Sequence, residues 1–223
     1  MIIDQISITI SYPEKTSDPL PLVLINDDQG SSEEIYALCS DRPFVLASLS
    51  GFDWDRDLSP WPAKAVFKGG DDFSGKADDY LEQILTKILP AIKEELSQKN
   101  ISVSYTAIAG YSLAGLFALY SGIRCDAFSK IASISGSLWY PGFDEYLFEH
   151  SISKNVDCVY LSLGDLEART RNELMSTVQI KTEAICDFLK DKTKAVFELN
   201  EGNHFRDPSL RTAKGIRYLL NDQ

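Results

Sequence analysis

Histidine and cysteine, two side chains that often bind metals, are scarce in this 223-residue sequence. The only histidines are His150 and His204, so a reaction that needs an imidazole must use one of them. The four cysteines lie far apart and form no CxxC pair: Cys39, Cys125, Cys158 and Cys186. Zinc knuckles and redox dithiols need closely spaced cysteines, so we expect free, mostly buried thiols and no metal site.

Long hydrophobic runs and a surplus of basic residues are also missing. No apolar run approaches the ~20 residues of a membrane helix, and residues 1–10 lack the basic start and apolar stretch of a signal peptide. The 22 Lys and Arg residues face 33 Asp and Glu, a net charge of −11, whereas binders of nucleic acid and anionic membranes usually carry the opposite bias. The composition therefore predicts a cytoplasmic globular protein that acts on a small molecule, with neither nucleic acid nor membrane as a partner. It leaves the oligomeric state open.

What the sequence does contain is a regular alternation of predicted strands and helices. Its length fits one domain, and no repeat or linker divides it, so we expect a single domain over residues 1–223. Short apolar runs predict strands at residues 6–10, 21–25, 44–48, 105–109, 130–135, 158–163 and 195–199. Helical spacing covers residues 77–98, 113–121, 171–190 and 210–220, with Pro90 expected to kink or divide the first of these. The alternation predicts a mostly parallel sheet with helices on both faces.

A serine lies at a turn between a predicted strand and a predicted helix. The segment is Gly110-Tyr111-Ser112-Leu113-Ala114-Gly115, which has the context of a nucleophile elbow. Small residues flank the serine because such a turn brings the strand and helix backbones together. Ala114 takes the place of the second glycine of the GxSxG pattern. The alternative is an ordinary Gly-Ser turn whose small residues only pack a helix on the sheet.

His204 follows the predicted strand at residues 195–199 and precedes the last helix. Loops after parallel strands converge at one edge of the sheet, where Ser112 is also expected. His204 is therefore the candidate partner of Ser112. His150 follows no strand end, and we interpret it as a surface residue.

Two acids, Asp165 and Glu167, follow the predicted strand at residues 158–163. Either is close enough in sequence to orient a histidine at the same edge. We prefer Glu167 because the turn at Gly164 leaves room for the third residue to swing back over the strand ends, while Asp165 suits a local turn-capping role. The chain order serine, acid, histidine is the one expected for a catalytic triad on this type of α/β fold.

The aromatic and acidic loop at residues 51–57 follows another predicted strand. From this region we expect Trp54, Arg56 and Trp61 to line a pocket beside Ser112, together with Tyr111. The alternative is that the tryptophans pack on the domain and that Arg56 pairs with its neighbouring aspartates.

These motifs resemble the esterase family of α/β-hydrolases that includes esterase D and the siderophore (enterobactin-type) esterases. The resemblance covers most of the chain and is carried by residues 21–29, 56–60, 110–115, 134–140, 164–167 and 202–205. It implies a three-layer α/β-hydrolase fold and a serine esterase with Ser112, Glu167 and His204 as its triad. It also implies that no metal or organic cofactor takes part.

The resemblance also implies an oxyanion hole built from two backbone N–H groups. One belongs to the residue after the serine, here Leu113. The other follows the aspartate of the first loop, where the family has glycine and this chain has Asp28. A carboxylate at that point repels an oxyanion, and loss of one such donor costs about 10²–10³ in rate. The short N-terminal strand region suggests a compact enzyme without a large lid.

The sequence therefore favours a carboxylic ester hydrolase that acts on a small-molecule ester through an acyl-enzyme intermediate. Two alternatives remain at this point. A thioesterase or acyltransferase would use the same triad, and a non-catalytic binding protein of the same fold would have a decayed oxyanion hole, which Asp28 slightly favours.

Overall fold

A large mixed sheet forms the centre of the protein, which the computed structural model describes for residues 1–14, 19–66 and 69–221. The strands of the described ranges are β1 (Ile2–Ile3), β2 (Ile6–Ser11), β3 (Leu20–Asn26), β4 (Val45–Ser50), β5 (Pro62–Ala63), β6 (Phe73–Ser74), β7 (Val103–Tyr111), β8 (Lys130–Ile134), β9 (Cys158–Gly164) and β10 (Lys194–Asn200). Eight of them form the sheet in the order β1-β2-β4-β3-β7-β8-β9-β10. The short strands β5 and β6 pair only with each other.

All pairings from β4 through β3 to β10 are parallel, whereas β1 and β2 join the edge antiparallel. The parallel strands are continuous apolar runs because both of their faces are covered; β9, for instance, is buried throughout. Since parallel strands end at the same edge, the loops after β3, β7, β8, β9 and β10 converge there. Those loops carry every candidate triad residue.

Helices cover both faces of the sheet. In the described ranges they are α1 (Ser32–Leu38), α2 (Trp54–Asp57), α3 (Ala77–Gln83), α4 (Leu89–Gln98), α5 (Leu113–Arg124), α6 (Phe143–His150), α7 (Val178–Lys190) and α8 (Pro208–Leu219). Alternate residues of β3 belong to different core layers. Leu24 packs in the layer of α3, α4, α5 and α7, and Val23 in the layer of α1 and α8. The predicted three-layer α/β arrangement is confirmed.

The helix predicted over residues 77–98 is divided near Pro90, as the sequence predicts. A π-helical turn, Ile84–Ile88, separates α3 from α4, and Pro90 lies in the first turn of α4. Proline has no N–H to donate to the preceding turn, so a widened turn just before it accommodates the missing hydrogen bond.

For the helix predicted over residues 171–190, the predicted start at residue 171 was wrong. Its α-helical part begins only at Val178, after a 3-10 turn at Met175–Thr177. Asn172 accounts for the difference because its side-chain oxygen accepts hydrogen bonds from the backbone N–H groups of Leu174 (3.0 Å) and Met175 (3.1 Å). This local cap competes with continuous α-helix.

The four cysteines are free thiols, as their spacing predicts, and three of them are buried: Cys39, Cys158 and Cys186. Across the described residues, no group of three or more His, Cys, Asp or Glu side chains is placed to hold a metal ion. No helix in that part of the chain is both long and apolar enough to cross a bilayer.

The layer of α8 should contribute strongly to stability. Ile216 of α8 is fully buried, whereas Ile180 of α7 is 73% exposed. We expect Ile216→Ala to lower the free energy of unfolding by about 2–5 kcal/mol, and Ile180→Ala to change it by less than about 0.5 kcal/mol. Urea unfolding of both variants measures the difference, and equal shifts would contradict the packing described here.

Candidate active site

Ser112 occupies a strained turn between the end of β7 and the start of α5. Its φ of 60° and ψ of −124° lie in a region that non-glycine residues rarely adopt. Two backbone hydrogen bonds hold the turn: the Ser112 N–H donates to the carbonyl of Ile134, and the Ser137 N–H donates to the carbonyl of Ser112, both at 3.0 Å. Such strain persists only where the surroundings enforce it, and it is typical of functional sites.

The small residues around Ser112 are required by the close approach of β7 and α5. A Cβ added at Gly110 would lie 2.2 Å from the carbonyl oxygen of Ala114, and one added at Gly115 would lie 2.9 Å from that of Gly110. Ala114 itself is fully buried in the core. The alanine variant of the GxSxG pattern is therefore accommodated, whereas a larger residue at Gly110 is excluded.

His204 lies between Ser112 and Glu167. Its Nε2 is 3.0 Å from the Ser112 Oγ, and its Nδ1 is 2.7 Å from Oε2 of Glu167. Because a carboxylate only accepts hydrogen bonds, the neutral ring carries its proton on Nδ1 and leaves Nε2 free to accept from the serine. The Tyr111 hydroxyl donates to the His204 carbonyl and so braces the loop. His150, by contrast, is exposed at the end of α6, as expected.

Glu167 is almost completely buried, with its side chain 4% exposed. Its Oε1 accepts hydrogen bonds from the Gly164 N–H (2.5 Å) and the Ser135 hydroxyl (2.7 Å), and it lies 3.3 Å from Nη1 of Arg211. Burial alone would raise the pKa of Glu167. The hydrogen bond and charge of His204, with the Gly164 and Ser135 donors, outweigh burial and hold that pKa below its usual value.

The structure separates the two acids that the sequence left open. The Asp165 Oδ1 accepts a 2.7 Å hydrogen bond from the backbone N–H of Gly202. Asp165 therefore fixes the loop that carries His204, while Glu167 contacts the imidazole itself.

Arg211 is the residue of this site that sequence reasoning missed. It projects from α8, is only 3% exposed, and places Nη1 3.2 Å from the Ser135 Oγ and 3.3 Å from Oε1 of Glu167. A usable signal was present, because Arg211 falls on the same helical face as Gly215 and Leu219, which are buried. A cation on a buried stripe indicates a buried acid as its partner.

One of the two expected oxyanion donors follows Ser112 in sequence, and the other lines a cavity with it. Leu113 is the first residue of α5, so its N–H has no acceptor within the helix. Asp28 lines a cavity shared with Ser112, and its side chain is exposed. The turn that holds Asp28 is fixed by Asp27, whose Oδ1 accepts from the Gln29 N–H (3.2 Å) and from the Ser31 hydroxyl (3.0 Å).

Two cavities meet at Ser112 and Trp54, which line both. The smaller cavity has a volume of about 110 Å³, and much of its wall is apolar: Trp54, Val66, Phe73, Leu113 and Trp139. The larger has a volume of about 370 Å³ and a more polar wall, which includes Asn26, Asp27, Asp28, Tyr111, His204 and Phe205. Of the predicted pocket residues, Trp54 and Tyr111 therefore do lie beside Ser112.

The expectation that Arg56 and Trp61 line the pocket was wrong. The Arg56 guanidinium pairs with the carboxylate of Asp57 at 2.8 and 3.0 Å. That carboxylate is buried and so needs a cation as its partner. The Trp61 indole N–H donates to the Pro141 carbonyl at 2.9 Å, so this ring is tied to a neighbouring loop. Neither side chain contributes to the cavities at Ser112.

Residues 26–201 match the family model described as "Putative esterase". The chain belongs to this esterase family. The match includes the segments that carry Ser112 and Glu167, and it confirms the resemblance drawn from the sequence motifs. His204 lies just beyond the matched residues.

The chain is also similar to a curated protein and to several solved structures. The "Uncharacterized protein YbbA" of Bacillus subtilis (strain 168) is 31% identical over 137 residues, which are 61% of this chain and 54% of that protein. The siderophore hydrolase EstB of Aspergillus nidulans superposes with a TM-score of 0.79 at 18% identity, over 96% of this chain and 90% of that one. An IroE-like serine hydrolase of Shewanella oneidensis superposes with a TM-score of 0.77 at 17% identity, over 96% of this chain and 75% of that one. These superpositions show the shared α/β-hydrolase fold.

The low pKa of Glu167 makes stability depend on pH. Because the folded-state pKa lies below 4.5, the charged carboxylate stabilises the fold above that pH, and its contribution is lost as the pH falls through the folded-state value. Between about pH 6 and about pH 3, we expect the urea midpoint of the wild type to fall more than that of the double variant Glu167→Gln/Arg211→Met. An equal fall in both proteins would contradict this account.

Proposed function

We propose that this esterase-family chain is a serine hydrolase that cleaves a carboxylic ester of a small molecule through an acyl-enzyme intermediate. The observation that carries the proposal is the continuous chain of hydrogen bonds from Ser112 through His204 to the buried Glu167. Family membership supports ester hydrolysis. The structural neighbours described as a siderophore hydrolase and a serine hydrolase support the same class of reaction.

In the proposed first half-reaction, the Ser112 Oγ attacks the ester carbonyl carbon while His204 Nε2 accepts the serine proton. The carbonyl oxygen becomes an oxyanion, which the N–H groups of Leu113 and Asp28 stabilise. Glu167 stabilises the imidazolium formed on His204. The imidazolium then gives its proton to the alcohol oxygen as the ester C–O bond breaks, which leaves the acyl group on Ser112.

The second half-reaction removes the acyl group with water. His204 Nε2 accepts a proton from a water molecule, whose oxygen attacks the acyl carbon of the Ser112 ester. Collapse of this second oxyanion releases the carboxylic acid, and the proton returns from His204 to the Ser112 Oγ. The same acyl-enzyme would serve a thioesterase or acyltransferase, which differ only in the leaving group or acceptor.

The position of His204 decides how the ester lies in the site. The alcohol oxygen must come within reach of His204 Nε2 to receive its proton, so the alcohol occupies the larger cavity, which His204 lines. The acyl group then takes the smaller cavity. A cavity of ~150 Å³ holds one benzene ring. The smaller cavity, at about 110 Å³, therefore suits an acyl group that is smaller than benzene.

The exposed position of Asp28 supports catalysis over a decayed binding site. Its carboxylate is exposed, so water weakens its repulsion of an oxyanion without abolishing the charge of the cavity. Its contribution to the oxyanion hole comes from the backbone, which does not depend on the side chain. The proposal therefore keeps Asp28 as a donor.

Hydrolysis of p-nitrophenyl esters tests the nucleophile and the acyl cavity together. We expect acetate and butyrate to be turned over with a higher kcat/KM than octanoate, because the small cavity excludes the longer chain. Ser112→Ala should lower kcat by at least ~10³-fold, while Ser40→Ala, at an exposed serine outside the site, leaves it unchanged. Full activity in Ser112→Ala, or a preference for octanoate, would contradict the assignment.

The choice of acid is tested by two isosteric substitutions. Glu167→Gln removes the charge that stabilises the imidazolium, and we expect kcat to fall by about 10⁴-fold. Asp165→Asn keeps an oxygen that accepts from Gly202, so kcat should change little. Circular dichroism of both variants checks the fold, since Glu167→Gln leaves Arg211 without its buried partner. The opposite ranking would transfer the role to Asp165.

A further inference from the structure

The larger cavity at Ser112 carries acidic side chains without a balancing cation. Asp27 and Asp28 line it, and no lysine or arginine does so among the residues that the structure describes there. The nearby Arg206 is engaged elsewhere, since it pairs with Glu201 at 3.0 Å and with Asp207 at 3.5 Å. The charge of this cavity therefore favours a positive ligand over a negative one.

Three aromatic rings surround the same space. Trp54 lies at the boundary between the two cavities, Tyr111 precedes the serine, and Phe205 follows His204. Phe205 is 81% exposed, which is unusual for a phenylalanine and which core packing does not explain. The faces of aromatic rings attract cations, and aromatic clusters recognise quaternary ammonium groups.

Two polar side chains in the cavity wall lack partners for part of their hydrogen-bonding capacity. Asn26 and Asp27 are 6% and 9% exposed. The Asn26 Nδ2 and the Asp27 Oδ2 have no hydrogen-bond partner in the described part of the chain. Both atoms are themselves shielded from solvent, so they belong to the wall and do not face an occupant of the cavity. What they add is a polar wall with a buried carboxylate at Asp27.

We propose that the alcohol part of the substrate carries an ammonium group, which binds in the larger cavity between the carboxylate of Asp28 and the rings of Trp54, Tyr111 and Phe205. This inference rests on the proposed function, because the catalytic role of His204 places the leaving alcohol in that cavity. The substrate class is an ester of a short acyl group with an amino alcohol. An anionic alcohol would meet the two aspartates and be disfavoured.

A pair of isosteric esters tests the charge alone. Acetylcholine and 3,3-dimethylbutyl acetate have the same acyl group and nearly the same shape, but only the first is charged. We expect kcat/KM to be at least about tenfold higher for acetylcholine. Added salt should reduce the ratio, because the carboxylate of Asp28 is exposed and its attraction is screened.

Two phenylalanine variants locate the effect. Phe205→Leu should lower the ratio of the two kcat/KM values at least about threefold. Phe148→Leu is the matched control, because Phe148 is a partly exposed phenylalanine that packs on Phe188 of α7, away from both cavities. We expect this variant to keep the wild-type ratio.

Equal or better use of 3,3-dimethylbutyl acetate would overturn the inference, as would a ratio that Phe205→Leu leaves unchanged. In the first case the cavity serves a neutral alcohol that binds through hydrogen bonds. Hydrolysis of p-nitrophenyl acetate separates these results from a failure of the proposed function. If that ester is hydrolysed in a Ser112-dependent way, only the inference fails; if no ester is hydrolysed, the proposed function fails and the inference with it.

Discussion

The buried carboxylate of Glu167 joins four parts of the fold at one point. Its Oε2 contacts His204 on the loop after β10, and its Oε1 contacts Ser135 after β8, Gly164 at the end of β9 and Arg211 on α8. A buried charge is tolerated only where it is paired and hydrogen-bonded. The position of the imidazole therefore depends on all four contacts, and its distance to Ser112 depends on them in turn.

The parallel sheet makes this convergence possible. Because β7, β8, β9 and β10 are parallel neighbours, their following loops leave the sheet at the same edge. The strained turn at Ser112 raises its side chain above that edge, and the absence of side chains at Gly110 and Gly115 allows α5 to approach closely enough. The site is thus a consequence of topology combined with a few small residues.

Much of the fold and three residues of the candidate site could be predicted from the sequence, because local chemistry marks them. Apolar runs indicate buried parallel strands, and Ser112 lies in a strand-turn-helix context that few other functions require. The helical face of Arg211 indicates only that it is buried; its partners Glu167 and Ser135 could not be identified, since they lie 44 and 76 residues away along the chain. Arg56 was misassigned for a different reason: its partner Asp57 is its neighbour in sequence, and the burial of that carboxylate, which the sequence does not show, decides its orientation.

The central claim is that Ser112 is a nucleophile activated by His204. Labelling with a fluorophosphonate probe tests it most directly, because the probe bonds covalently only to a serine oxygen that an adjacent base activates. The account predicts a single adduct on the peptide that contains Ser112, and no adduct in His204→Ala. Labelling of another serine, no labelling of the folded wild type, or undiminished labelling of His204→Ala would contradict it.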